Sequence, residues 1–171
     1  AIAMVEGYQL FNEALMMAAL KAAKQAGARI ALDLASFEVV NAARDILDRI
    51  IREYVDILIA NEDEAEAFTG TADESKALDI LSENTDYGVL KLGARGSCVN
   101  HNGRRCQISP VKGKPPVDTT GAGDLWAAGF LYGVAHDFSI EKAGRLGSAC
   151  GYEVCQVMGA QLPEQAWDRI R

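Results

Sequence analysis

Short apolar runs alternate along the chain with longer segments in which apolar residues recur at helical spacing. The runs predict buried strands at 2–5, 29–34, 55–60 and 87–92. The segments between them predict helices at 9–26, 36–54, 61–70 and 71–83, the last with a capping box from Thr71 to Glu74. This alternation is typical of an α/β protein, with a mostly parallel sheet flanked by helices.

The second half of the chain predicts a hairpin and two further helices. Residues 97–100 and 105–111 read as paired strands around His101-Asn102-Gly103. Helices are expected at 122–135 and 140–157, with Ser139 as the N-cap of the second. Since no repeat or linker divides the chain, we expect residues 1–171 to form a single α/β domain.

Charge and composition exclude several classes of protein. The formal net charge of −7 argues against a nucleic-acid binder and against binding to anionic membranes. No apolar run approaches the ~20 residues of a membrane span, and no basic residue precedes 1–5 as in a signal peptide. The four cysteines form no Cys-x-x-Cys pair, so we expect no zinc site and a cytoplasmic location.

The segment 117–124, Val-Asp-Thr-Thr-Gly-Ala-Gly-Asp, combines small residues with the predicted start of a helix. Free amides at a helix N-terminus form an anion site that can hold a phosphoryl group. Asp124, in the first turn, could accept a proton from an attacking alcohol. The alternative is an ordinary glycine-rich turn with an aspartate favoured by the helix dipole. The full string, its position after a strand and loop, and Gly129 in the helix favour the functional interpretation.

The string D-T-T-G-A-G-D-x-x-x-x-G-F from Asp118 strongly resembles the C-terminal signature of the ribokinase-like (PfkB) carbohydrate kinases. Three other segments resemble family elements in order and spacing: 61–64, 91–96 and 155–160. Segments 6–8, 32–34 and 121–133 further resemble the bacterial adenosine-kinase-like branch. The resemblance implies a ribokinase-like fold, and transfer of the γ-phosphoryl group of ATP to a sugar or nucleoside alcohol.

The resemblance also implies roles for individual residues. Asp124 would be the catalytic base, and the amides of Gly121, Ala122, Gly123 and Asp124 would form the anion hole. Asn61 and Glu64 would organise Mg²⁺ and its waters. The nucleotide would be bordered by Lys91, Gly93, Arg95, Gly96 and Ser148. A monovalent cation such as K⁺, bound by several members, would lie at Asp118, Thr120, Val154, Val157 and Gly159.

Several of these residues have a simpler structural explanation. Asn61 and Glu64 could cap a surface helix, and Asp118 could cap its turn. Lys91 could be a strand-edge charge, and Arg95 could belong to a solvated turn. Each alternative stays open on sequence alone.

Members of the family are longer than this chain, and the resemblance implies that the first strands of the sheet and the β-sheet lid are missing from it. The acceptor pocket would lie mostly in that part. An exposed sheet edge would favour association, so we expect a homo-oligomer.

Two functions therefore stay open. The first is an ATP-dependent sugar or nucleoside kinase, with adenosine as one candidate acceptor. The second is a catalytically silent nucleotide-binding or interaction fragment derived from such a kinase. A dinucleotide-dependent enzyme is set aside, because no Gly-x-Gly-x-x-Gly follows the first strand.

Overall fold

The computed structural model describes residues 1–170. It contains a six-stranded sheet in the order β1-β2-β3-β4-β5-β6, and the pairs β1–β2, β2–β3 and β3–β4 are parallel. The strands are β1 Ile2–Glu6, β2 Arg29–Asp33, β3 Ile57–Asn61, β4 Tyr87–Lys91, β5 Ser97–His101 and β6 Arg104–Ile108. The predicted fold class, a mostly parallel sheet flanked by helices, is confirmed.

Eight α-helices connect and follow the strands within residues 1–170. They are α1 Glu13–Gln25, α2 Phe37–Ala42, α3 Arg44–Tyr54, α4 Glu62–Thr69, α5 Glu74–Ser82, α6 Ala122–Ala135, α7 Ile140–Val154 and α8 Glu164–Ile170. Two short 3-10 helices lie at Gly7–Phe11 and Gly93–Arg95. No helix in this part of the chain is both long and apolar enough to cross a bilayer.

The described chain divides into two compact units. The first comprises residues 1–92 and 98–105, and the second begins with 93–97 and continues from 106. In the first unit the middle residues of strands β2, β3 and β4 are apolar or glycine and are buried, as expected for parallel strands covered on both faces. Its core side chains include Leu32, Leu58 and Leu90 from the sheet, with Leu20, Leu47 and Leu81 from helices.

The second unit is built around α6 and α7, which approach each other through small residues. A Cβ atom at Gly129 would lie 2.8 Å from the Cys150 sulfur and 2.9 Å from the Leu146 carbonyl oxygen. One at Gly133 would lie 2.7 Å from the Ala143 Cα. The glycines therefore let the two helix backbones pack in direct contact, which larger residues would prevent.

Four predicted helices have different boundaries in the structure. The helix expected at 9–26 begins only at Glu13, because the Asn12 side chain accepts from the Leu15 amide and caps it there. The helix expected at 36–54 is interrupted at Ala43, where φ is −122°. Beyond the break, the Arg44 guanidinium donates to the Ala67 and Phe68 carbonyls at the end of α4. The apolar stripe continues across the interruption, so periodicity could not reveal it.

The other two corrections concern helix ends. The capping box predicted at Thr71 is wrong: Asp73 caps α5 by accepting from the Ser75 and Lys76 amides, whereas Thr71 accepts from the Asp73 amide. The helix expected to reach 157 ends at Val154. Helix α8, which follows Pro163, was not predicted. It is attached to α7 by Arg169, which donates to both oxygens of the Glu153 carboxylate at 2.9 and 2.6 Å.

Candidate active site

In the first unit, three neighbouring parallel strands each have a polar residue at the last position. These residues are Asp33 on β2, Asn61 on β3 and Lys91 on β4. Lys91 lies directly opposite Asn61 in the sheet, and Asp33 lies opposite Ile59. Since side chains alternate between faces, this register puts all three polar residues on one face. The carboxyl edge of an open parallel sheet is where such folds bind ligands.

Asn61 and Glu64 form a capping box at the N-terminus of α4. The Asn61 carboxamide oxygen accepts from the Glu64 amide at 2.9 Å. In return, the Glu64 carboxylate accepts from the Asn61 amide at 2.8 Å and from its side-chain nitrogen at 2.7 Å. The capping alternative is thus seen in the structure, and a role for these residues at Mg²⁺ stays a prediction.

The Glu64 carboxylate is almost fully buried, with 3% of the residue exposed. Burial raises the pKa of Glu64, and the hydrogen bond from the Asn61 amide and the Lys91 charge act against that rise. A buried carboxylate that is held in place by two hydrogen bonds has a fixed orientation. It can therefore orient a water molecule or a hydrated cation without rearrangement.

Lys91 is paired with Asp33 rather than projecting into solvent. Its ammonium lies 2.7 Å from an Asp33 carboxylate oxygen, and the two side chains are only 15% and 9% exposed. The other Asp33 oxygen accepts from the Ala35 amide at 3.2 Å. The sequence did not predict Asp33 as the partner of Lys91, although its position at the end of a buried strand was a usable signal.

In the second unit, Asp118 organises the loop that leads into α6. One carboxylate oxygen accepts from the Thr120 amide at 3.0 Å and from the Thr120 hydroxyl at 2.8 Å. The other accepts from the Gly159 amide at 2.8 Å. These bonds, led by the Thr120 amide, lower the pKa of Asp118 from 3.8 to about 2. The structure thus brings together three of the residues predicted for the monovalent cation.

Gly121 is the N-cap residue of α6 and has a φ of 75°. The Ala122 amide donates to the Thr119 carbonyl at 3.1 Å. Within residues 1–170 the amides of Gly121, Gly123 and Asp124 have no such partner, as expected for the first turn of a helix. Three of the four amides predicted for the anion hole are therefore available to an anion.

Asp124 lies in the first turn of α6 and is exposed. Its carboxylate has no hydrogen-bond or ion-pair partner among the residues that the structure describes. It is accessible to an incoming alcohol, which the role of a base requires.

The remaining predicted residues lie in the second unit. Gly93 and Arg95 form a 3-10 turn, and Gly96 follows it with a φ of 95°. Ser148 is buried in α7, and Val154 ends that helix. The Val154 carbonyl accepts from the Val157 amide at 3.3 Å. For the nucleotide and cation roles of these residues, the assignment stays a prediction.

The donor atoms fit hydrated cations better than a closed protein metal cage. Within residues 1–170, no three His, Cys, Asp or Glu side chains converge as a metal site would require. Mg²⁺ in phosphoryl-transfer enzymes keeps several waters and is held by one or two carboxylates together with substrate phosphates. Each Glu64 carboxylate oxygen accepts one hydrogen bond from Asn61 and keeps a further acceptor position, which is compatible with contact to a cation through water.

Comparison with known proteins identifies relatives of this chain. The sequence matches the family described as pfkB family carbohydrate kinase over residues 4–167. The nucleoside kinase of Methanocaldococcus jannaschii is 28% identical over 128 residues, covering 75% of this chain and 41% of that protein. The ribokinase of Haemophilus influenzae is 31% identical over 151 residues, covering 84% of this chain and 46% of that protein.

A solved kinase structure also resembles this chain. The adenosine kinase from Sinorhizobium meliloti aligns with a TM-score of 0.92 at 30% identity, covering 98% of this chain and 53% of that one. The chain thus spans about half the length of these relatives. With the glycine-rich turn before α6 and a ribokinase-like sheet both present, the chain belongs to the pfkB family of carbohydrate kinases.

Proposed function

We propose that the protein transfers the γ-phosphoryl group of ATP to an alcohol group of a sugar or nucleoside. The observation that carries this proposal is the start of α6, where unbonded amides and the exposed Asp124 carboxylate lie in one helical turn. Amides at a helix N-terminus stabilise negative charge as it develops on a phosphoryl group.

In this proposal Asp124 accepts the proton of the attacking alcohol. General bases of this kind contribute about 10²- to 10⁴-fold to the rate. The amides of Gly121, Gly123 and Asp124 face the transferring group, whereas the Ala122 amide holds the turn through Thr119. The anion hole that we propose therefore has three amide donors, whereas the motif alone implies four.

Nucleotide and Mg²⁺ are assigned to the residues that the family motifs match. Asn61 and Glu64 orient the water shell of Mg²⁺, a function supported by their rigid capping box. Mg²⁺ held there would supply positive charge that offsets the negative charge of the phosphate groups. The residues proposed to border the nucleotide are Lys91, Gly93, Arg95, Gly96 and Ser148.

We assign the monovalent cation to the Asp118 carboxylate and the Thr120 carbonyl, with backbone carbonyls of Val154, Val157 and Gly159. A carboxylate has about four lone-pair positions, and three of those on Asp118 already accept hydrogen bonds. The remaining position is available to a cation, and its negative charge persists because the pKa of Asp118 is low.

The acceptor is proposed as a class, since relatives include a nucleoside kinase, a ribokinase and an adenosine kinase. Adenosine is the nucleoside to test first. A second candidate is a module that binds ATP without transferring phosphate.

The experiment is an Asp124→Asn substitution in the protein expressed from its complete reading frame. ADP release is measured with ribose, fructose and adenosine, and MgATP binding is measured by calorimetry. We expect turnover to fall by at least about a hundredfold with little change in ATP affinity, because only the base is lost. Asp137→Asn, which changes an exposed acid just beyond the other end of α6, is the control.

Unchanged turnover in the Asp124→Asn enzyme would contradict the proposed base. ATP binding without ADP release by the unsubstituted protein, for every acceptor, would support the silent module instead.

A further inference from the structure

The Lys91 side chain crosses the end of β3 to reach its partner. Lys91 is on β4 and Asp33 on β2, with β3 between them. Asn61, the last residue of β3, lies directly opposite Lys91. To come within 2.7 Å of Asp33, the lysine must therefore extend over Asn61 and the start of α4.

This ion pair is more buried than stability alone would favour. Removing two charges from water costs free energy that their attraction only partly returns, and apolar pairs often replace buried ion pairs without loss. The chain offers a comparison at the opposite edge of the same sheet. There Lys24 pairs with Asp56 at 2.8 Å, with 37% and 22% of the side chains exposed. The greater burial of Lys91 and Asp33 points to an electrostatic function at the carboxyl edge.

The backbone beside Asp33 is unusual as well. Ala35 has a φ of 69°, in the left-handed region that alanine rarely adopts. The Asp33 carboxylate accepts from the Ala35 amide and stabilises this turn. Residues in such conformations concentrate at functional sites, where the surrounding structure holds them. Each Asp33 oxygen thus has a separate partner, which fixes the orientation of the carboxylate.

We propose that Asp33 is a positioning residue of the nucleotide site, holding the Lys91 ammonium across the end of β3 beside the Asn61–Glu64 capping box. There the cation faces the phosphate groups of MgATP. A lysine ammonium has three donors, so two remain after the bond to Asp33. Burial raises the pKa of Glu64, and the Lys91 charge opposes that rise, as expected if the two groups are close. This inference rests on the proposed kinase function and names the residue that orients one of its nucleotide contacts.

The test compares Asp33→Asn, Lys91→Met and the double variant in a thermodynamic cycle. MgATP affinity is measured by calorimetry, and KM and kcat are measured in the ADP-release assay. We expect Asp33→Asn to raise the Kd and KM for MgATP about tenfold, because one charge-assisted contact to the nucleotide is lost. The change in kcat should be smaller. Because Asp33 acts through Lys91, its substitution should have little further effect once Lys91 is methionine. Lys91→Arg, which keeps the charge, should recover part of the affinity.

The control is Lys24→Met, which removes the equivalent pair at the opposite edge of the sheet. Its affinity for MgATP should stay within about twofold of the unsubstituted protein. If Asp33→Asn does not fold, Asp33→Leu with Lys91→Met replaces the buried pair by an apolar one. That variant should fold and bind MgATP weakly.

Three results would overturn the inference: unchanged MgATP affinity in a folded Asp33 variant, additive effects in the cycle, or no MgATP binding by the unsubstituted protein. Failure of the proposed function gives a different result. If the unsubstituted protein binds MgATP but transfers no phosphate, kinase activity is contradicted, and the affinities still decide the role of Asp33.

Discussion

Gly121 is required by the fold independently of the anion-binding role proposed for it. Its φ of 75° lies where residues with a side chain are strained. A Cβ atom there would also lie 2.7 Å from the Ala160 methyl carbon. The chain therefore needs glycine at this position before any phosphate is bound. A substitution at Gly121 would consequently report on folding as much as on anion binding.

Local residue contacts could be predicted from sequence, and distant ones could not. The Asn61–Glu64 pair is three residues apart, within reach of a motif. By contrast, Lys91 and Asp33 are separated by 58 positions, and Gly159 and Asp118 by 41. Only the fold brings these partners together. The sequence therefore predicted the contact between near neighbours, but not the distant partners that orient Lys91 and Asp118.

Asp118 provides a pH-dependent prediction. Its pKa is lowered to about 2 in the folded protein from an ordinary 3.8, so the folded state favours the ionised form. The stability it contributes is complete above pH 3.8 and is lost as pH falls toward about 2. We expect the difference in unfolding free energy between the unsubstituted protein and Asp118→Asn, measured in urea, to shrink over this range. A difference that stays constant down to pH 2 would contradict the Asp118 contacts.

Among the elements, those defined by local patterns were predicted well. The four parallel strands and the hairpin were found because apolar runs and a two-residue Asn-Gly turn identify them directly. The break at Ala43 was missed because the hydrogen bonds of Arg44 involve carbonyls more than 20 residues away. The α5 cap was misplaced because Thr71 and Asp73 are both good capping residues, and Asp73 lies next to the first helical residue.

The close packing of α6 on α7 predicts that Gly129 does not tolerate a side chain. An added Cβ would meet the Leu146 carbonyl and the Cys150 sulfur inside van der Waals distance. Overpacking costs about 1–3 kcal/mol. This outweighs the gain of about 1 kcal/mol that alanine has over glycine in a helix. We expect Gly129→Ala to lower the unfolding free energy by about 1 kcal/mol in urea denaturation.

The control is Ala128→Met, which adds a larger side chain at the neighbouring, exposed position of α6. It should change the unfolding free energy by less than about 0.5 kcal/mol. Equal stability of the Gly129→Ala and unsubstituted proteins would be inconsistent with direct helix contact.

At the scale of the molecule, the two compact units share secondary structure. Strands β5 and β6 each contribute residues to both units. The single domain expected from the sequence implies that both units unfold in one transition. The two tryptophans, Trp126 and Trp167, belong to the second unit, so their fluorescence reports on that unit alone.

We therefore expect the urea transition followed by tryptophan fluorescence to coincide with that followed by far-ultraviolet circular dichroism, which reports on helices of both units. The shared strands would couple the units, because neither could lose its order without disrupting β5 and β6. A fluorescence midpoint clearly below the circular-dichroism midpoint would show separate unfolding and contradict the single domain.

The glycine contacts between α6 and α7 have a consequence for motion. With the backbones in contact, rotation or sliding of one helix would displace the other, so we expect the two helices to move together. The glycine-rich turn leads directly into α6. A spectroscopic label on the solvent-facing side of α7 would therefore report any displacement of the turn during the proposed phosphoryl transfer, without a modification in the turn itself.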